Sequence, residues 1–229
     1  MALAADVEPP RLQWLRTLRR HPSAILLLVQ LLQVVAYPLL EQTHLARPLL
    51  GGFGVLVLLL ALRMIRQTVR HVAAGLVLAS IAIVLNVLWI GFGLVALQPW
   101  QAAMQAVFYF FAAGCLISYM YADQRVSRDE FFAAGATFTL LVWAFTYVLL
   151  LCQWLDPAAF SAAVAGQPRS WSEMLFLSFA LFSSTGIGDV IPLSPIARGV
   201  ADLEMFSGVM YLALVVSRLI GLSVSQRQR

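Results

Sequence analysis

The sequence predicts an all-α membrane protein with six transmembrane helices and one extra half-length helix, and three features lead to that prediction. Of 229 residues, 61% are hydrophobic and only 11% charged, with a mean hydropathy of +0.85, a composition outside the range of soluble domains. There is no lysine, and the arginines fall between the apolar runs rather than inside them. Trp171 to Ser183 is an apolar run of about 13 residues, too short for a bilayer that takes ~20 residues per crossing.

The net charge of +4 comes from arginine alone. Because these arginines are scattered between spans and form no basic domain, nucleic acid is not an expected partner; membrane lipid is, and no soluble small-molecule substrate is expected. Cys115 and Cys152 fall within apolar runs and read as small hydrophobes, with neither a disulfide nor a metal spacing.

Residues 1–22 form a basic N-terminus. Arg11 to Arg20 interleaves Leu12, Trp14, Leu15 and Leu18 with four arginines, a pattern that fits a helix on the membrane surface and equally a basic flank that fixes orientation. Residues 23–122 are read as a four-helix transmembrane domain. Its first span runs from Ser23 to Leu40, with no small-x-small cleavage site after it, so it is read as retained. The second, Pro48 to Leu62, crosses fully only if the Arg63 stem snorkels. Arg63, Arg66 and Arg70 share one helical face but follow the second span, which reads as a cytoplasmic anchor rather than a voltage sensor. Val72 to Ala122 is uncharged and too long for one helix, so Gln98-Pro99 is taken to divide it. The fourth span, Trp100 to Tyr121, contains no arginine; a sensor built there would lack gating charges.

Residues 123–130 form a charged connector. Phe131 to Leu155 is a fifth span, and Asp156 to Ser170 an outer loop. Ser170 is placed as N-cap of the short helix, with Glu173 at its third position. After that helix comes Ser183-Ser184-Thr185-Gly186-Ile187-Gly188-Asp189, then a turn with Pro192 and Pro195, then a last span from Arg198 to Leu219. Irregular backbone at membrane depth is tolerated only when it lines a watery cavity or is buried in protein. Glycines at 186 and 188 are spaced for alternate left-handed backbone, which lets successive carbonyls face one axis. The C-terminal end of the half-helix carries partial negative charge favourable to a cation. With the N-terminus inside, twelve arginines (11, 16, 19, 20, 63, 66, 70, 125, 128, 218, 227 and 229) are cytoplasmic and three (47, 169 and 198) outside, which supports six crossings with both termini in the cytoplasm. Residues 222–229 are read as a short cytoplasmic tail, in which no ligand-binding domain is expected.

Ser184-Thr185-Gly186-Ile187-Gly188, read with the half-helix and the inner-helix glycine Gly208, resembles the T-V-G-Y-G filter of tetrameric potassium channels. The wider run from Phe179 through Ser194-Pro195-Ile196-Ala197-Arg198 to Tyr211-Leu212-Ala213 is similar to bacterial six-helix channel proteins of the two-helix pore family. The resemblance covers residues 131–221, read as a pore domain, and implies a homotetramer in the bacterial inner membrane. It makes the Ser184 hydroxyl and the carbonyls of Thr185, Gly186, Ile187 and Gly188 the ligands of K+, here the permeant ion, with no resident cofactor. It places Asp189 behind the outer mouth, makes Gly208 a gating hinge, and lines the cavity with Met205, Val209, Leu212 and Val216, whose spacing suits ordinary helix packing equally well. Thr185 stands where the family has valine and Ile187 where it has tyrosine. Phe176 and Leu177 replace bracing tryptophans, and Ala180 replaces a carboxyl partner for Asp189. Apolar packing would then stand in for an aromatic cuff, and potassium preference is expected to be weaker. Glu204 is expected to brace the pore helix or a neighbouring subunit, and Arg198 to pair with Asp202.

An enzyme is not expected. His21, His44 and His71 lie at span ends with no G-x-S-G, which argues against an intramembrane serine protease; no ligand cluster suggests metal catalysis, and no inverted repeat suggests a transporter. A non-conducting or regulatory subunit with a degenerate loop, or a non-selective cation channel, is the alternative.

Overall fold

The computed structural model describes residues 22–40, 56–57, 59–61, 72–122, 128–161 and 167–227. The basic N-terminal stretch, most of the second predicted span, Arg63, Arg66, Arg70, the three histidines and residues 123–127 of the connector lie outside these. Among the described residues there is no β-sheet, only an isolated antiparallel bridge between Phe160 and Pro192. Five helices among the described residues are long and apolar enough to cross a membrane.

Helix α1 is Pro22–Leu40, α2 Val72–Phe92, α3 Gln98–Tyr121 and α4 Arg128–Leu155. Within the uncharged stretch the chain turns at Gly93, in left-handed backbone at φ 64°, and α3 begins at the expected Gln98-Pro99. Pro99 lies in the first turn of α3, where its missing N–H costs nothing; the glycine makes the turn because it accepts positive φ.

Helix α1 turns Gln30 and Gln33 inward while Leu28, Leu31, Leu32 and Val35 are exposed. A soluble helix has the reverse pattern; here apolar solvent surrounds the protein and polar groups are kept for helix contacts. Helix α4 is the hub, packing against α1, α3 and the short helix that follows. Gly135 lets α1 come close, since a Cβ there would lie 2.9 Å from the Leu27 side chain. Asp129, in the first turn of α4, accepts hydrogen bonds from the Ser23 N–H at 3.2 Å and the Ser23 hydroxyl at 2.7 Å. It thereby supplies negative charge to the N-terminus of α1, the favourable end for an anion.

The half-length helix α5 is Trp171–Phe182, ~18 Å at 1.5 Å per residue. Trp171 stacks on Tyr37 of α1, with ring centroids 4.2 Å apart. Helix α6, Pro195–Tyr211, is followed without a break by a π-helical segment, Leu212–Val216, and by α7, Ser217–Arg227. The last span therefore begins three residues before the expected Arg198, with Ser194 as its N-cap. The α4, α5 and α6 helices meet at Phe138, Phe182 and Tyr211, and the Tyr211 hydroxyl donates to the Ala134 carbonyl at 2.6 Å.

Candidate functional site

Helix α5 begins as its sequence dictates. The Ser170 hydroxyl accepts from the Glu173 N–H, and the Glu173 carboxylate accepts from the Ser170 N–H at 2.7 Å, a complete capping box. It ends in a Schellman turn: the Ser184 N–H donates to the Leu181 carbonyl at 3.0 Å and the Thr185 N–H to the Ala180 carbonyl at 3.1 Å. That turn needs a left-handed residue just past the helix, and Ser184 fills it at φ 58°. Gly186 is left-handed as well, at φ 66°, whereas Gly188 is not. The alternation thus falls on 184 and 186, one step earlier than the expected glycine pair, because the helix terminus claims the first left-handed position.

All of Ser184 to Asp189 is exposed on the single chain, and Ile187 is 68% exposed. The Thr185 hydroxyl lies 3.1 Å from that of Ser183 and 3.4 Å from the Ala180 carbonyl, so the additional polar group has partners. The Phe176 ring edge would lie 3.7 Å from a Cβ on Gly188, while Leu177 is buried with Val190, Leu149 and Ala197. The two residues thus support opposite sides: Phe176 the loop, Leu177 the chain just beyond it.

Behind the loop, Ser178 of α5 and Glu204 of α6 are hydrogen-bonded and fully buried. The Ser178 hydroxyl also lies 2.7 Å from the Val142 carbonyl of α4. Asp202 is exposed on the other side of α6. Arg198 turns back to the Pro192 carbonyl at 3.1 Å rather than along the helix to Asp202. Met205, Val209 and Leu212 are exposed and Val216 half-buried. Arg218 reaches the Met120 carbonyl and lies 4.4 Å over the Tyr121 ring, so it is held against α3. Gly208 sits in unbroken α-helix, buried against the Phe182 backbone; the departure from α-helical geometry comes later, at Leu212–Val216, a feature that often marks functional positions.

Residues 135–223 match the family model described as an ion channel. That match takes in less than half of the chain and makes this part of it similar to ion channels. The match takes in most of α4, all of α5 and the exposed loop, and α6 into α7, so the loop and the residues of α5 and α6 around it lie within the matched region. No curated protein and no solved structure matches the chain.

Sequence reasoning placed Arg169 outside only as a topological charge, and the structure gives it more to do. Its side chain is 5% exposed and pairs with Glu173, its Nε donates to the Ser161 carbonyl at 2.6 Å, and its guanidinium lies 3.7 Å from the Asp189 carboxylate. Partial burial alone would raise the Glu173 pKa, but the Ser170 N–H and the Arg169 charge outweigh it and hold the carboxyl below its ordinary value. The signal that could have found Arg169 was its spacing, four residues before Glu173 at the mouth of an apolar half-helix.

Proposed function

We propose that four copies of this chain surround a cation pathway lined by the Ser184 hydroxyl and the carbonyls of Thr185, Gly186, Ile187 and Gly188, passing K+ in preference to Na+ without a voltage sensor in the fourth span. The observation that carries this reading is the half-length helix that runs through a Schellman turn directly into an exposed loop with left-handed residues at 184 and 186. An exposed loop of this kind at membrane depth is stable only against water or protein, and four loops around one axis supply both. The exposed faces of α6, including Met205, Val209 and Leu212, are then covered by neighbouring copies or face the central cavity.

Discrimination among cations depends either on the spacing of the carbonyls or on their number and field. Ile187, exposed and without a polar group, leaves the loop less anchored than a hydrogen-bonded tyrosine would, which favours a modest preference over a strict one. Purified protein in a planar bilayer with K+ on one side and Na+ on the other tests the reading. A reversal potential displaced toward that of K+ is expected. A reversal at zero refutes potassium preference, and the absence of any current from assembled protein favours the non-conducting alternative.

A further inference from the structure

We propose that Arg169 is a positioning residue of the ion pathway, fixing the outer end of the Ser184–Gly188 loop through Asp189 and the strand-like segment beyond it. This inference rests on the reading of that loop as the pathway.

The backbone of Arg169 is held first. Its N–H donates to Gln153 Oε1 at 2.8 Å, and its carbonyl accepts from Gln153 Nε2 at 3.0 Å, so α4 grips it from both sides. The guanidinium is a rigid planar fork and almost fully buried, so it needs matched partners. Glu173 on the first turn of α5 provides the tight one and the Ser161 carbonyl a second. The remaining partner is Asp189, immediately after Gly188.

Ser161 ties the same corner together along the backbone. Its N–H donates to the Ile191 carbonyl at 2.9 Å, its hydroxyl accepts from the Ile191 N–H at 2.8 Å, and that hydroxyl lies 3.1 Å from the Asp189 carbonyl. Ala159 accepts from the Leu193 N–H at 2.7 Å. The outer loop thus lies alongside the segment leaving the pathway, and Arg169 links it to α4, α5 and Asp189. Since Arg169 is clamped on three sides and Asp189 is mostly exposed, the arginine sets where Asp189 goes rather than the reverse. In a chain whose loop has Ile187, which makes no side-chain hydrogen bond, this corner is a polar anchor at the outer end of the loop.

Position and charge make different demands. Arg169 also reduces the negative charge at the mouth, and removing a positive charge raises the local concentration of cations. Arg169→Lys keeps the charge but loses the fork; Arg169→Gln loses both; Asp189→Asn removes the exposed arm and leaves the buried corner intact. Full-length protein, confirmed as assembled by gel filtration, is measured in bilayers for permeability ratio and low-salt conductance. Both Arg169 variants are expected to lower the K+ to Na+ permeability ratio at least about threefold, the scale of coupling within such networks, with low-salt conductance kept by Arg169→Lys and raised by Arg169→Gln. Asp189→Asn is expected to lower the ratio in the same direction, and Arg169→Gln combined with Asp189→Asn to lower it no further than Arg169→Gln alone. An unchanged ratio in Arg169→Lys and Asp189→Asn, or losses that multiply in the double variant, overturns the proposal.

A second measurement is independent of conduction. Amide hydrogen exchange at Ser161, Ile191 and Leu193, whose N–H groups are bonded within this corner, is expected to quicken about tenfold in Arg169→Lys, and unchanged exchange overturns the positioning role. A wild type that conducts without preferring K+ refutes potassium preference, while the exchange experiment still decides the role of Arg169.

Discussion

Gly208 of α6 packs directly against the backbone of Phe182, the last residue of α5: a Cβ at 208 would lie 2.7 Å from the Phe182 carbonyl carbon and 2.9 Å from its Cα. A backbone group cannot rotate away as a side chain tip can. Gly208→Ala therefore has to separate the helix that precedes the loop from the one that follows it. Overpacking of this kind costs about 1–3 kcal/mol, and a lower thermal midpoint in detergent together with less assembled protein is expected. If Gly208 served only as a flexible point, alanine would alter opening and leave the thermal midpoint alone; an unchanged midpoint would remove the contact role.

The features legible in the sequence are those whose cause is local. Hydropathy marks the long helices, and the capping box at Ser170 and Glu173 can be read from a spacing of three residues. Features that depend on distant partners were not legible. Glu204 is expected from the sequence to brace the pore helix or a neighbouring subunit, but its partner Ser178, 26 positions away, is seen only in the structure. Arg169 reads as a charge outside the membrane until Gln153 and Ser161 are found around it. The glycine pair misled for a related reason: spacing alone identifies Gly186 and Gly188, but the helix terminus requires its left-handed residue at Ser184, whose side chain gives no hint of that conformation.

Ser178 has one hydroxyl hydrogen and two acceptors in reach, the Val142 carbonyl and the Glu204 carboxyl. Glu204→Gln brings a donor to Ser178 Oγ and frees the hydroxyl for Val142, so it is expected to fall within about 0.5 kcal/mol of wild type. Ser178→Ala strands Glu204 among buried groups, with its other oxygen already lacking a partner among the described residues, and is expected to cost about 1–3 kcal/mol. Adding Glu204→Gln to Ser178→Ala should recover little of this, since an amide left unbonded is also expensive. Thermal unfolding of the three variants measures the difference, and a Ser178→Ala variant as stable as wild type would show that the bond contributes nothing.

Glu173 sets an acid limit on the outer corner. Its folded pKa is held below the ordinary 4.5, so its ionised form stabilises the fold fully above that value and the contribution is lost as pH falls through the lower folded pKa. Between pH 7 and 5 this group should add no slope to stability; below pH 4.5 it should. Glu173→Gln keeps an acceptor for the Ser170 N–H but leaves Arg169 with Asp189 as its one carboxylate partner in this corner. Its thermal midpoint should lie below wild type at pH 7 and converge with it as the pH is lowered. Parallel curves at all pH values would show that the charge on Glu173 contributes no stability.

Ser184 combines two roles that substitution can separate. At φ 58° a non-glycine residue carries a steric cost of about 1–2 kcal/mol, which Ser184→Gly removes, so that variant should have a higher thermal midpoint than wild type in a buffer without K+. Ser184→Ala keeps the strain and loses the hydroxyl. If that hydroxyl contributes to an ion site, K+ raises the midpoint of wild type by preferential binding to the folded assembly, and the rise should shrink in both variants alike. Comparing each midpoint in K+ with that in a bulky organic cation separates backbone strain from ion binding. A K+ effect of equal size in all three proteins would assign the binding to the carbonyls alone and leave Ser184 only its part in the turn.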